Sequence, residues 1–260
     1  SMLKLAAKSG RPAMAPFLTI GYPDTNTSIE IATALLNSGV ELLELGIPFS
    51  DPLAEGPTIQ KSSFQALQQG VNLNVCLDVL RKVREQNKQA GLLLMGYYNP
   101  LFRYGIESAV ADIAESGGDG LIIADMPTEE SSTLAKYCAQ HNIHLIPLLA
   151  PTSTDARIAQ SCQQARGFIY CVSVAGVTGA RANLQHSVRD LVARIRRYTT
   201  LPILVGFGIS TPEHVAEVGT FADGVVVGSA LIQAIENGTN KSDAVETARE
   251  FVEGLRPVNR

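Results

Sequence analysis

The stretch Val40–Gln69, VELLELGIPFSDPLAEGPTIQKSSFQALQQ, opens as a short apolar strand, passes through a loop dense in Gly and Pro, and closes in a segment of helical periodicity. That is one βα unit, and the same pattern recurs along the chain. Runs rich in Val, Ile and Leu lie at Ala15 to Ile20, Val40 to Leu45, Leu92 to Gly96, Gly120 to Ala124, His144 to Leu149, Phe168 to Val172, Ile203 to Gly206 and Gly224 to Val227. Helical patterns follow at Ser28 to Asn37, Thr58 to Gln69 with Leu73 to Asn87, Ile106 to Ser116, Glu129 to His141, Thr154 to Gln164, Leu184 to Tyr198, Pro212 to Val218 and from Ala230 onward. The strand runs are near-continuously apolar, as in a parallel sheet covered on both faces. Eight such units in a chain of 260 residues predict a single (β/α)8 barrel domain, with extra helical segments such as Leu73 to Asn87. A doubly wound open sheet is the alternative, but no GxGxxG opens the first helix.

Composition narrows the function. Hydrophobic residues make up 45% of the chain and the formal net charge is −4, which argues against nucleic acid or an anionic membrane as the main partner. No apolar stretch reaches membrane-spanning length, and the start carries no signal-peptide pattern; Ser1 ahead of Met2 reads as a cloning remnant, and the chain reads as cytoplasmic. Cys76, Cys138, Cys162 and Cys171 show no CxxC spacing, and His141, His144, His186 and His214 form no zinc-like pattern, so metal and disulfide readings are poor.

In a barrel the loops after the strand C-termini form the active face. Glu44 closes an apolar strand and Glu55 lies on the Gly/Pro loop behind it. A carboxyl buried among strand leucines has its acid form favoured by desolvation, which suits proton transfer near neutral pH; taken alone, Glu44 fits an ordinary strand cap equally well. Asp51, Asp125 and Tyr170 are further candidates, although Asp125 reads better as a cap for the helix that follows it and Tyr170 equally as a core residue. Gly206-Phe-Gly208-Ile-Ser210 and Gly228-Ser229-Ala230 follow the last two strands, where backbone N–H groups at a helix N-terminus can cradle a phosphate. Such glycines also serve tight turns, but the pair on the last two strands favours a phosphorylated substrate. No Lys lies at a strand C-terminus, which disfavours Schiff-base chemistry and leaves acid/base catalysis by carboxylates.

At these residues the chain resembles the tryptophan synthase alpha subunit family over essentially its whole length. The segments LELGIPFSDPLAEGPTIQ, GYYNPLFRYG, ADMPTEES, YCVSVAGVTGAR, LVGFGIS and GVVVGSALI carry the resemblance. It implies a TIM barrel that cleaves indole-3-glycerol phosphate to indole and glyceraldehyde 3-phosphate, a step of tryptophan biosynthesis. It also implies no cofactor in this subunit, and an αββα heterotetramer with a beta subunit that holds pyridoxal phosphate. By the same likeness Glu44 and Glu55 are the catalytic acids and Asp51 is the loop residue that meets the beta subunit. Tyr170 lies near the acids, Thr178 and Gly179 belong to a closing loop, Gly208, Gly228 and Ser229 hold phosphate, and Phe17, Tyr97 and Phe207 flank the indole. One functional position departs from the family pattern, where the loop acid is commonly Asp and here is Glu55; Val174 also stands where the family often carries Arg. The alternatives are another phosphate-binding barrel, such as a sugar-phosphate isomerase or epimerase, or a mainly regulatory partner subunit.

Overall fold

The computed structural model describes residues 3, 6, 10–172, 181–206 and 208–256, apart from the side chains of 181–185. Nine parallel strand segments run around one sheet: β1 (Ala13–Thr19), β2 (Leu42–Gly46), β3 (Gly91–Gly96), β4 (Gly120–Ile123), β5 (His144–Leu145), β6 (Leu148–Leu149), β7 (Ile169–Val172), β8 (Ile203–Gly206) and β9 (Gly224–Val227). Their order is β5-β4-β3-β2-β1-β9-β8-β7-β6. The two ends of that order are halves of one strand, separated only by Ile146 and Pro147, so the sheet closes into a barrel of eight strand positions, as expected. Ile146 N donates to Leu121 O at 2.9 Å on one side, and Pro147 O accepts from Tyr170 N at 3.1 Å on the other. Proline has no N–H to return toward β7, so the ladder loses a rung there and the fifth strand is read as two dipeptides.

Each strand sends alternate side chains to two cores. Inside the barrel, Ala13, Ala15, Leu42, Leu93, Ile122, Ile146, Phe168, Tyr170, Leu204 and Val226 pack together, joined by Leu3 and Ala6. Outward-facing Leu18, Leu43, Leu45, Leu94, Ile169, Val205 and Val225 meet the helices in a second, larger cluster. Those helices are α1 (Thr25–Asn37), α2 (Pro57–Gln68), α3 (Leu73–Gln86), α4 (Tyr98–Tyr104), α5 (Ile106–Glu115), α6 (Ser132–Gln140), α7 (Asp155–Gln164), α8 (Arg181–Ile195), α9 (Pro212–Val218), α10 (Ser229–Glu236) and α11 (Lys241–Gly254). Asp24, Asn72, Thr154, Thr211 and Asn240 each accept from a first-turn N–H, and each such cap stabilises its helix by about 1 kcal/mol.

Two local expectations change. The Gly96-Tyr-Tyr-Asn-Pro100 segment reads as a loop, yet Tyr98–Tyr104 is helical, with Pro100 in the first turn where its missing N–H costs nothing. Asp125 does not cap the helix that follows it: its Oδ1 accepts from Tyr98 N at 2.8 Å, across the sheet at the start of α4. No helix among the described residues is long and apolar enough to cross a membrane.

Candidate active site

Glu44 sits on β2, in register with Phe17 of β1 and Leu93 of β3. Register neighbours in a parallel sheet share a face, so its side chain turns into the barrel beside Phe17. Glu44 is 1% exposed, and its Oε1 has no hydrogen-bond partner. Burial, with the nearby Glu55 charge adding to it, pushes the Glu44 acid up to about 8. The group therefore holds its proton near neutral pH.

The second acid approaches from the loop between β2 and α2. Pro52 O accepts from Glu55 N at 3.0 Å, closing a turn, and Gln60 Nε2 donates to Glu55 O at 2.9 Å. Burial raises the Glu55 acid as well. Ala54, Glu55 and Gly56 form one wall of a cavity of about 640 Å³ at the C-terminal rim of the barrel. Across from them stand Tyr170 and Val172 of β7, with Phe17, Met95, Leu148 and Val226 supplying apolar surface. Tyr170 lines the same cavity as Glu55, and burial, then the charges of Glu44 and Glu55, hold its phenol well above the usual range.

Two glycines make room for the aromatic rings. A Cβ on Gly46 would lie 2.5 Å from Phe17 Cζ, and one on Gly206 would lie 2.5 Å from Tyr170 Cε2 and Oη. At the far end of the cavity, Gly228 is the N-cap of α10; Leu231 N already donates to Gly228 O at 2.9 Å, and the N–H groups of Ser229 and Ala230 precede that first helical bond. Gly208 takes a left-handed φ of +51°, and no atom lies within 4 Å of where its Cβ would be, so there is space on that side of the chain. Gly208, Ile209, Ser210, Gly228 and Ser229 all line this end, and no Lys or Arg lines the cavity among the described residues. An anion seated there would be held by main-chain donors and the helix dipole. One end of the cavity thus suits a phosphate, the middle a flat apolar group, and the acids lie beside that middle. A second hollow of about 50 Å³, lined by Met126, Leu145 and Ser161, lies apart from the acids.

The tryptophan synthase alpha chain family model matches residues 3–258. The chain belongs to the tryptophan synthase alpha chain family. It is 48% identical over 254 residues to the tryptophan synthase alpha chain of Chloroflexus aggregans, covering 96% of this chain and 95% of that one. To the tryptophan synthase alpha chain of Geobacter sulfurreducens it is 46% identical over 251 residues, covering 95% and 93%. Among solved structures, it superposes on tryptophan synthase subunit alpha from Legionella pneumophila with a TM-score of 0.90 at 34% identity, over 98% of this chain and 95% of that one. It superposes on the aminoacrylate- and BRD0059-bound tryptophan synthase from M. tuberculosis with a TM-score of 0.87 at 31% identity, over 98% and 97%.

Of the residues singled out in the alpha-chain motifs, Glu55, Phe17, Tyr170, Gly208, Gly228 and Ser229 line the cavity, while Glu44 is not on the lining itself but buried on the inner face of the sheet, in register with the lining residue Phe17. Thr178, Gly179 and Phe207 lie outside the described residues. Asp51 is exposed and takes a 2.5 Å hydrogen bond from Ser50 Oγ, away from the cavity wall. Tyr97, expected beside the indole, is not on the cavity lining: its hydroxyl accepts from Ala54 N at 3.0 Å, behind the Glu55 loop. Gln233, Met95 and Leu148 also line the cavity, beyond the residues expected there. Met95 and Leu148 carry a signal, since both sit at strand C-terminal ends facing inward. Gln233 lines the cavity and donates to Thr58 Oγ1 at 3.3 Å, a contact between α10 and α2 that no local pattern announces.

Proposed function

We propose that this chain is the carbon–carbon lyase of the alpha reaction, cleaving indole-3-glycerol phosphate into indole and glyceraldehyde 3-phosphate by a retro-aldol step. The observation that carries the reading is Glu44: a buried acid, its pKa pushed up to about 8 by burial, with one oxygen unpartnered, on the inner face of the sheet in register with Phe17, which lines a cavity whose far end is built from Gly208, Gly228 and Ser229. Breaking the bond between indole C3 and the glycerol chain leaves electrons on the ring, so C3 must first be protonated. Glu44 supplies that proton. The cation that results is stabilised by Glu55, whose carboxylate takes the ring N–H, and the Glu44 carboxylate then accepts the proton of the adjoining glycerol hydroxyl as the bond breaks. Gly208, Gly228 and Ser229 fix the phosphate, which sets the distance from the cradle to the acids and converts binding into orientation. The apolar wall of Phe17, Met95, Leu148 and Val226 suits the indole and keeps water away from the acids. Glu55 in place of the family's usual Asp keeps the carboxylate and adds one methylene to its reach.

The same reading gives the chain a tryptophan synthase beta subunit as partner, in an αββα assembly located in the cytoplasm. Pyridoxal phosphate belongs to the beta subunit, and the chemistry assigned to this chain uses its own carboxylates. The exposed Asp51 and Leu53, the latter at 88% exposure, are the surface offered to that partner. The direct test is indole release from indole-3-glycerol phosphate by the purified chain, with and without its beta subunit. No release under either condition would refute the proposal.

A further inference from the structure

Tyr97 has no part in the chemistry above, yet it is 5% exposed and bonded at its hydroxyl. Its ring stacks on Phe49, with centroids 5.0 Å apart and planes inclined by 24°, and its oxygen accepts from Ala54 N at 3.0 Å. Phe49 and Ala54 bracket the segment that holds Asp51, and Glu55 is the next residue. One side chain from the start of α4 therefore grips the loop at both ends. The grip is itself anchored, because Asp125 Oδ1 accepts from Tyr98 N at 2.8 Å and fixes the turn on which Tyr97 sits.

The loop has little else to hold it. Leu53 N donates to Asp51 O and Glu55 N to Pro52 O, both within the loop. Pro52 is buried, while Leu53 and Ala54 are exposed and point no apolar surface into the core. Among the described residues, the hydrogen bonds that tie residues 51–55 to the rest of the fold, beside the packing of Pro52, are the one from Gln60 Nε2 to Glu55 O and the one from Ala54 N to Tyr97 Oη. A segment with so few anchors opens at low cost unless such ties hold it. We infer that Tyr97 is a positioning residue: its hydroxyl docks Ala54 so that the neighbouring Glu55 carboxylate stays on the cavity wall. Burial, opposed by the Ala54 bond and reinforced by the charges of Glu55 and Asp125, pushes the phenol up to about 12, so the group serves as a neutral acceptor throughout the working pH range. The inference rests on the proposed role of Glu55.

Tyr97→Phe tests it, since Phe keeps the ring, the stack on Phe49 and the buried volume while removing only the acceptor. Hydrogen exchange of the segment Phe49 to Gly56 and steady-state cleavage of indole-3-glycerol phosphate are measured on wild type and variant. The expected result is exchange at Ala54 faster by about tenfold and kcat lower by a similar factor, with KM within about twofold, because the cradle and the apolar wall are untouched. Unchanged exchange at Ala54 would overturn the inference. So would faster exchange with unchanged kcat, the outcome if the hydroxyl holds the loop without placing Glu55. A wild-type chain unable to cleave the substrate would refute the proposed function instead, and the exchange arm then decides alone whether Tyr97 holds the loop.

Discussion

Replacing Glu44 by Gln should make the protein more stable, and increasingly so as pH rises. A carboxyl whose folded pKa stands above its unfolded value binds its proton more tightly in the folded state. Its contribution is therefore fully present below the unfolded value of about 4.5 and is lost as pH climbs toward about 8. At about 1.4 kcal/mol per pH unit for one proton, the loss approaches ~5 kcal/mol across the whole window and is about 3–4 kcal/mol between pH 5 and 8. Glutamine fills the same space and cannot ionise, so the variant escapes this loss, and Oε1 of the wild type forms no hydrogen bond that the amide would forfeit. Urea unfolding of both proteins at pH 5, 6, 7 and 8, with m-values compared to confirm that the same surface unfolds, gives the difference at each pH. The gap should be small at pH 5 and grow steadily in favour of Gln. A gap constant across that range would show that Glu44 is ionised or well partnered in the folded chain, and the reasoning about its proton would fail.

Gly206→Ala should cost about 1–3 kcal/mol, because the new Cβ falls 2.5 Å from the buried Tyr170 ring while the β8 ladder holds the backbone in place; a lowered Tm together with reduced turnover checks it, and an unchanged Tm counts against the packing. Gly228→Asp should weaken binding of glycerol phosphate analogues by about tenfold or more, since the Cβ fits with neighbours at 3.6 and 3.8 Å but the carboxylate sets a like charge at the helix N-terminus; equal affinity in titration would place the phosphate elsewhere. Asp51→Ala should lower activation by the beta subunit more than it lowers turnover of the isolated chain, and equal fold-activation of variant and wild type would show that the loop does not couple through this residue.

The barrel is legible in the sequence because every strand must satisfy two cores at once, which writes a continuous apolar run before each Gly/Pro loop. What escapes is what tertiary context decides. Tyr98–Tyr104 reads as a turn because Tyr-Asn-Pro is turn-like, and it becomes a helix with its first N–H received by Asp125, 27 residues away. Pro147 breaks a strand that the hydropathy pattern shows as continuous. In the site, Glu44 and the glycine cradle stand out because a buried acid and paired strand-end glycines are locally odd. The contact of Tyr97 with Ala54 escapes too: which way the ring faces depends on the path of the Glu55 loop, and no spacing encodes it.

The central claim is that Glu44 carries the proton to and from the substrate. Single-turnover cleavage of indole-3-glycerol phosphate, followed as indole released by wild type and by folded Glu44→Gln under the same saturating substrate, measures it most directly. The loss should reach about 10²–10⁴-fold or more, with substrate still bound, because the amide keeps the shape of the site and cannot shuttle a proton. Cleavage by Glu44→Gln within a few-fold of wild type would contradict the account.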